Sequence, residues 1–206
     1  MTLSTSSCAT TAATSTPFDE LGSAAVSGPH LILIGLMGVG KSTVGRRCAK
    51  KLGRPFVDTD DLVETLAGMP VASVFATQGE TTFRALESQA LADACASPVP
   101  SVIACGGGAI VDAANRRQIE RAGTVVWLQA PPEVLTERVG TGDGRPLLVD
   151  PAGDPRPRRQ VTATLVRLAL LRESAYEAAA DLVVDTVGRS PDEVAVEVLR
   201  VAEVES

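Results

Sequence analysis

One nine-residue stretch restricts the fold more than any other part of the chain: Gly35-Leu36-Met37-Gly38-Val39-Gly40-Lys41-Ser42-Thr43. Two glycines frame four residues, and Lys-Ser follows, which is a complete phosphate-binding loop. The apolar run Leu31-Ile32-Leu33-Ile34 precedes it, and a segment with helical character, Thr43 to Leu52, follows. That strand–loop–helix setting is what such a loop needs. The glycines allow backbone dihedrals that a side chain would forbid, so successive N–H groups can turn toward one phosphate. The helix N-terminus adds partial positive charge. Lys41 has the length to reach the outer phosphates, and the Ser42 hydroxyl is placed to ligate Mg²⁺. The sequence therefore predicts binding of a nucleoside triphosphate.

At 206 residues the chain is most simply one domain with a substantial core. A net charge of −6 argues against a nucleic-acid surface, which is usually strongly basic. No apolar run approaches the roughly 20 residues needed to cross a bilayer. The cysteines Cys8, Cys48, Cys95 and Cys105 form no C-x-x-C pair, which points to a reduced, cytoplasmic protein. A single histidine, His30, leaves no material for a histidine-based zinc site or a Ser-His-Asp triad. Residues 1–28 are rich in Ser, Thr and Ala, carry Asp19 and Glu20, and lack Arg and a basic, apolar leader pattern. They read as a disordered extension ahead of a domain spanning 29–206. The chain is expected to act as a monomer.

Short apolar runs alternate with helical patterns, the signature of βαβ units and a parallel sheet. Strands are predicted at Leu31–Ile34, Pro55–Val57, Ser101–Ala104, Thr124–Leu128 and Leu182–Val184. Helices are predicted near 42–52, 61–67, 71–77, 80–96, 112–122, 131–139, 158–180 and 190–203. The last opens on a capping box, Ser190-Pro191-Asp192-Glu193. Ligands of such sheets bind beyond the carboxyl ends of the strands. Three segments with chemical content share that rim: the phosphate loop, Asp58-Thr59-Asp60 and Gly106-Gly107-Gly108. From about Gly140 to Arg159 the chain is rich in Gly, Pro and Arg, as expected of a mobile lid over phosphates.

No N-K-x-D base-reading motif of a GTPase is present, and the acidic strand end belongs to the second strand. Both features point to the small-metabolite and nucleotide kinases. In this setting Gly35–Thr43, Asp58-Thr59-Asp60, Phe83-Arg84-x-x-Glu87, Gly106-Gly107-Gly108-Ala109, Arg145-Pro146-Leu147 and Arg172-x-x-x-Tyr176 occur in one order. With these motifs the chain resembles the shikimate kinase family over roughly residues 30–200. The resemblance implies an α/β, three-layer P-loop kinase fold with flanking helices, a mobile lid and a five-stranded parallel sheet of order 2-3-1-4-5. It implies ATP-dependent phosphorylation of shikimate, with Mg²⁺ as cofactor. Gluconate or another small polyol is the alternative substrate, and a non-catalytic nucleotide-binding homologue the alternative role.

By the same resemblance, Gly38, Val39, Gly40, Lys41, Ser42, Thr43, Arg138 and Arg145 bind ATP. Arg138 packs on the adenine, and Arg145 closes from the lid. Ser42 holds the metal directly and Asp58 through water. Asp60, Arg84, Gly106, Gly107, Gly108 and Arg172 bind shikimate. Lys41, Asp60 and Arg145 are the catalytic residues, and Phe75 and Phe83 form an apolar wall. The chemistry agrees with these roles. A ring carboxylate suits the planar fork of Arg84 and Arg172. A hydroxyl nucleophile needs an acceptor such as Asp60. Glu87 lies one helical turn from Arg84 and can hold its guanidinium in place.

Overall fold

The computed structural model describes residues 29–140, 147–149, 154 and 156–204. Among them lies one five-stranded sheet, all parallel, in the order β2-β3-β1-β4-β5. The strands are β1 (His30–Ile34), β2 (Phe56–Asp58), β3 (Val102–Ala104), β4 (Gly123–Gln129) and β5 (Leu182–Asp185). The helices are α1 (Lys41–Leu52), α2 (Thr59–Ala67), α3 (Val71–Cys95), α4 (Ala113–Ala122), α5 (Pro132–Val139), α6 (Arg158–Ala179) and α7 (Pro191–Val204).

The strand order and the handedness of βαβ crossovers together place the helices. The step from β1 to β2 runs one way across the sheet, and every later step runs the other way. A right-handed crossover therefore puts α1 on one face and α3, α4 and the α5–α6 pair on the opposite face. The last helix, α7, packs beside α1 and against β4 and β5. This explains why β1, buried on both faces, reads as a continuous apolar run rather than an alternating one. The main core runs through Ile32, Leu33, Ile103, Val125, Val126 and Leu165, all fully buried. A satellite cluster of Val63, Val74, Phe83 and Ala90 joins α2 to α3. That smaller cluster is what holds the second-cavity wall described below onto the rest of the domain.

Local chemistry explains several boundaries. Asp58 caps α2 by accepting the Asp60 N–H at 3.2 Å. The helix thus starts at Thr59, two residues before the expected start, and Asp60 sits in its first turn. The predicted break between helices near 77–80 is Gly79, with φ 80° and ψ 172° inside α3. The capping box of α7 is formed: the Ser190 N–H and hydroxyl both donate to Glu193 at 2.7 Å, and the Glu193 N–H donates back to the Ser190 Oγ. A 3₁₀ turn at Ala109–Val111 was not foreseen; it follows directly from the triple glycine. His30 is structural, its Nδ1 accepting the Ser101 N–H at 3.0 Å. Cys48, Cys95 and Cys105 are free thiols, while Cys8 lies outside the described residues.

Candidate active site

The phosphate loop joins β1 to α1 at the carboxyl edge of the sheet. Its bends rest on Gly38 and Gly40, whose φ angles of +81° and +104° disfavour any residue with a Cβ. Gly40 also caps α1 without a side-chain bond, and the first turn of α1 contains no acid. The helix therefore ends in unpaired N–H groups and an unopposed positive pole, which suits an anion. The Lys41 ammonium folds back over the loop and donates to the Gly35 carbonyl at 2.9 Å and the Leu36 carbonyl at 3.3 Å. Ser42 donates from its hydroxyl to Asp58 Oδ2 at 2.6 Å, tying the loop to the end of β2.

A cavity of about 470 Å³ opens above this loop. Gly38, Val39, Gly40, Lys41, Ser42 and Thr43 line one end with Asp58 and Asp60; Arg138, Thr186, Arg189 and Pro191 line the other. Arg138 is fixed there by two donations, to Thr186 Oγ1 at 2.8 Å and to the Thr186 carbonyl at 2.7 Å. Thr186, Arg189 and Pro191 were not singled out from the sequence. Their only signal is position, just beyond the carboxyl end of β5, the one rim segment that carries no recognisable motif.

A second cavity, of about 230 Å³, lies between α3 and the triple glycine. Phe75, Phe83, Arg84, Glu87, Gly107, Gly108 and Arg172 line it, and Phe75 and Phe83 stack with centroids 4.4 Å apart. Phe83 therefore serves both as cavity wall and as part of the α2–α3 cluster. Arg84 donates to Glu87 at 2.6 Å and to Glu80 at 3.1 Å, which aims its guanidinium. Glu87 is almost fully buried, and desolvation raises its pKa despite the neighbouring Arg84. The buried Arg172 donates to the Gly107 carbonyl at 2.9 Å, and the Tyr176 hydroxyl donates to the same oxygen at 2.7 Å. Both donors come from one face of α6, one helical turn apart. Thr59 accepts the Gly106 N–H at 2.8 Å, so the middle residue of Asp58-Thr59-Asp60 anchors the glycines.

The glycines are required for a reason the sequence could not show. A Cβ at Gly106 would meet Glu87 Oε1 at 2.5 Å and Asp60 Oδ1 at 3.1 Å, and one at Gly108 would overlap the Arg84 guanidinium. The first steric demand is thus made by the site's own charged side chains.

The two cavities share Met37, Lys41 and Asp60. Asp60 stands where they meet, reached by solvent yet walled by protein on most sides. Withdrawal from bulk water, and then the neighbouring Asp58 carboxylate, push its carboxyl up to about 6, against the pull of Lys41. Lys41 shifts downward through its own desolvation, opposed chiefly by Asp60. The site therefore holds a carboxylate and an ammonium at one junction, each bringing the other closer to proton exchange at neutral pH. Of the residues expected at the site, all the described ones fall on one or both of these cavities, with Gly106 directly behind the wall. Arg145 lies outside the described residues, as does most of the expected lid.

Comparison with known proteins agrees with this geometry. The family model for shikimate kinase matches residues 37–203. The chain belongs to the shikimate kinase family. The shikimate kinase of Symbiobacterium thermophilum is 45% identical over 173 residues, covering 82% of this chain and 94% of that protein. Among solved structures, shikimate kinase from Acinetobacter baumannii in complex with shikimate superposes with a TM-score of 0.80 at 31% identity, over 87% of this chain and 96% of that one. A gluconokinase from Sinorhizobium meliloti, at 22% identity and a TM-score of 0.52 over 86% of this chain and 95% of that one, shares the fold alone. Similarity to shikimate kinases thus extends through both cavities.

Proposed function

We propose that this chain transfers the terminal phosphoryl group of ATP to a ring hydroxyl of shikimate, giving ADP and shikimate 3-phosphate. The observation that carries this reading is the junction of two cavities at Lys41 and Asp60. One side has the loop, helix end and ammonium of a polyphosphate site. The other has the size, the two guanidinium groups and the apolar wall that suit a small cyclic acid. The Acinetobacter baumannii relative, solved with shikimate, supports the choice of acid.

In this reading the loop amides and Lys41 take the phosphates, and Arg138 with Pro191 flanks the adenine. Arg145 approaches from the lid. Ser42 Oγ and Asp58 Oδ2, 2.6 Å apart, form a small all-oxygen donor set of the kind that suits Mg²⁺, which keeps most of its ligands as water and phosphate. Bound there, the ion neutralises charge on the phosphates. Arg84 and Arg172 fork the substrate carboxylate, and Glu87 keeps Arg84 aimed. Asp60 orients the reacting hydroxyl and accepts its proton as the oxygen attacks phosphorus. The protein works mainly by positioning and charge, as phosphoryl transfer requires.

Coupled ADP-release assays with shikimate, gluconate and AMP side by side test the reading directly. Turnover with shikimate alone is expected; preference for gluconate or AMP would overturn it. Arg84→Ala separates acid recognition from phosphate chemistry. Loss of a charge-assisted hydrogen bond of roughly 1.5–3 kcal/mol raises the KM for shikimate by roughly ten- to a hundred-and-fifty-fold, with ATP binding unchanged. Arg145→Ala has the opposite pattern, lowering kcat strongly and shikimate binding little. An Arg84→Ala enzyme that binds ATP poorly and shikimate normally would refute the carboxylate assignment.

We also infer that the catalytic domain is residues 29–206, in a reduced cytoplasmic setting. Removing residues 1–28 is expected to leave the melting temperature and kcat/KM unchanged, and a clear fall in either would show that the extension belongs to the domain.

A further inference from the structure

The inner face of α6 delivers Arg172 and Tyr176 to the site, but its outer face has no use in the fold. At about 100° per residue, Ala163, Val166, Arg167, Leu170, Ser174 and Glu177 form one outward stripe, and all are exposed. Leu170 and Leu171 are 71% and 65% exposed, the most exposed large apolar side chains among the described residues. Beside them a groove of about 510 Å³ separates α6 from β4, with Trp127 and Tyr176 at its base. Val183, paired in register with Trp127 and so on the same sheet face, is itself 53% exposed. Parallel sheets are normally covered on both faces. Here the β4–β5 end is only partly covered.

The charges on this helix face run against its dipole. Arg159 and Arg167 lie in the N-terminal half, Glu173 and Glu177 in the C-terminal half. The first turn holds no acid and the last turn no base, the reverse of what the macrodipole favours. None of these four side chains makes an ion pair with another described residue.

We propose that this face is a self-association surface, on which a second copy of the chain docks with its α6 antiparallel, about a twofold axis beside Leu170. In that register the residue three before Leu170 meets the residue three after it: Arg167 faces Glu173 of the partner subunit, and the pair repeats by symmetry. Glu177 faces Ala163 of the partner subunit, one turn from a second arginine. The basic half of each helix covers the acidic half of the other, and Leu170 and Leu171 close over the groove. A parallel arrangement would set arginine on arginine. Glu173 and Asp185 at the groove and a net charge of −6 oppose an anionic membrane as the occupant. The face is complementary to itself, so a second copy is the partner it fits best, in place of the single-copy state expected from sequence. Both active sites stay open, because they lie on the other side of α6.

Sedimentation velocity of the full chain, from about 1 to 100 μM, tests this. A dimer is expected at the upper end, with a change in the fluorescence of Trp127, the single tryptophan, over the same range. Arg167→Glu or Glu173→Arg each creates two like-charge contacts and should weaken the dimer at least about tenfold. The double variant Arg167→Glu with Glu173→Arg restores opposite charges and should recover to within about threefold of the parent. Leu170→Asp should be monomeric. kcat with shikimate is expected unchanged in all four, which shows that each is folded. A parent chain that stays monomeric at about 100 μM overturns the proposal and leaves the face to a different partner. A double variant no tighter than the single ones overturns it equally, because the antiparallel register would then be wrong.

Discussion

Replacing Lys41 by alanine is expected to lower kcat by roughly 10²–10³, the usual cost of removing one preorganised charge donor from a transition state. Without ligand, the ammonium is bound to the Gly35 and Leu36 carbonyls, at the floor of the larger cavity and the edge of the smaller. It is therefore positioned before ATP arrives, and binding exchanges two carbonyl acceptors for phosphate oxygens. Phosphoryl transfer spreads charge over the equatorial oxygens, so the contact strengthens as the bond to the leaving group lengthens. Because Lys41 touches the substrate cavity only at its rim, the KM for shikimate should move little. The melting temperature should also move little, since the lost carbonyl bonds are offset by relief of a desolvated charge. Lys41→Arg should recover only part of the rate, because a planar guanidinium cannot occupy the compact ammonium position. Steady-state kinetics with each substrate varied, together with thermal melts, provide the check. An alanine enzyme retaining more than about a tenth of parental kcat would contradict the role assigned to Lys41.

Residues with a local chemical signature were legible in the sequence. The phosphate loop is one, since glycine spacing, Lys and Ser are needed within a few residues of one another. The strand order 2-3-1-4-5 came from resemblance, because periodicity finds strands but not their neighbours. Arg84–Glu87 could be read from helical spacing alone. What could not be read were contacts between segments far apart in the chain. Thr59 anchors Gly106 across 47 positions, and Tyr176 reaches Gly107 across 69. Neither pairing leaves a trace in local pattern. Thr186 is hidden for the same reason: a lone threonine after a short strand has no meaning until Arg138 is seen bonded to it. The glycines were recognised correctly as a place of close approach, but the groups that approach are Glu87, Asp60 and Arg84. A helix reads differently again. The inner stripe of α6 could be expected from its arginine and tyrosine, whereas the unpaired outer charges matter only once the fold shows that nothing covers them.

Asp60→Asn should be about as damaging as loss of Lys41, lowering kcat/KM for shikimate by roughly 10²–10⁴, the range for removing a positioned general base. The substitution keeps size and leaves the first turn of α2 intact, since Asp58 caps that helix through the Asp60 backbone N–H and not its side chain. What it removes is the acceptor at the cavity junction. The parent enzyme should also show an acidic limb in kcat/KM. The Asp60 carboxyl is pushed up to about 6, so it is protonated below that pH and unable to take the hydroxyl proton; activity therefore falls as pH falls through that value. The Asn variant should lack this limb, which separates Asp60 from the raised carboxyl of Glu87, still present in the variant. Stability gives a second, independent readout of opposite sense. An acid with a raised folded-state pKa destabilises the fold once the unfolded chain ionises near pH 4, and its full effect is reached above about 6. Asp60→Asn should therefore raise the melting temperature at neutral pH, with the gain disappearing as the pH drops toward 4. A variant that is inactive yet no more stable at neutral pH would mean that the carboxylate is not strained by its surroundings. A variant that stays active, or a parent profile flat from about pH 5 to 8, would remove Asp60 from the chemistry and leave proton transfer to the phosphate itself.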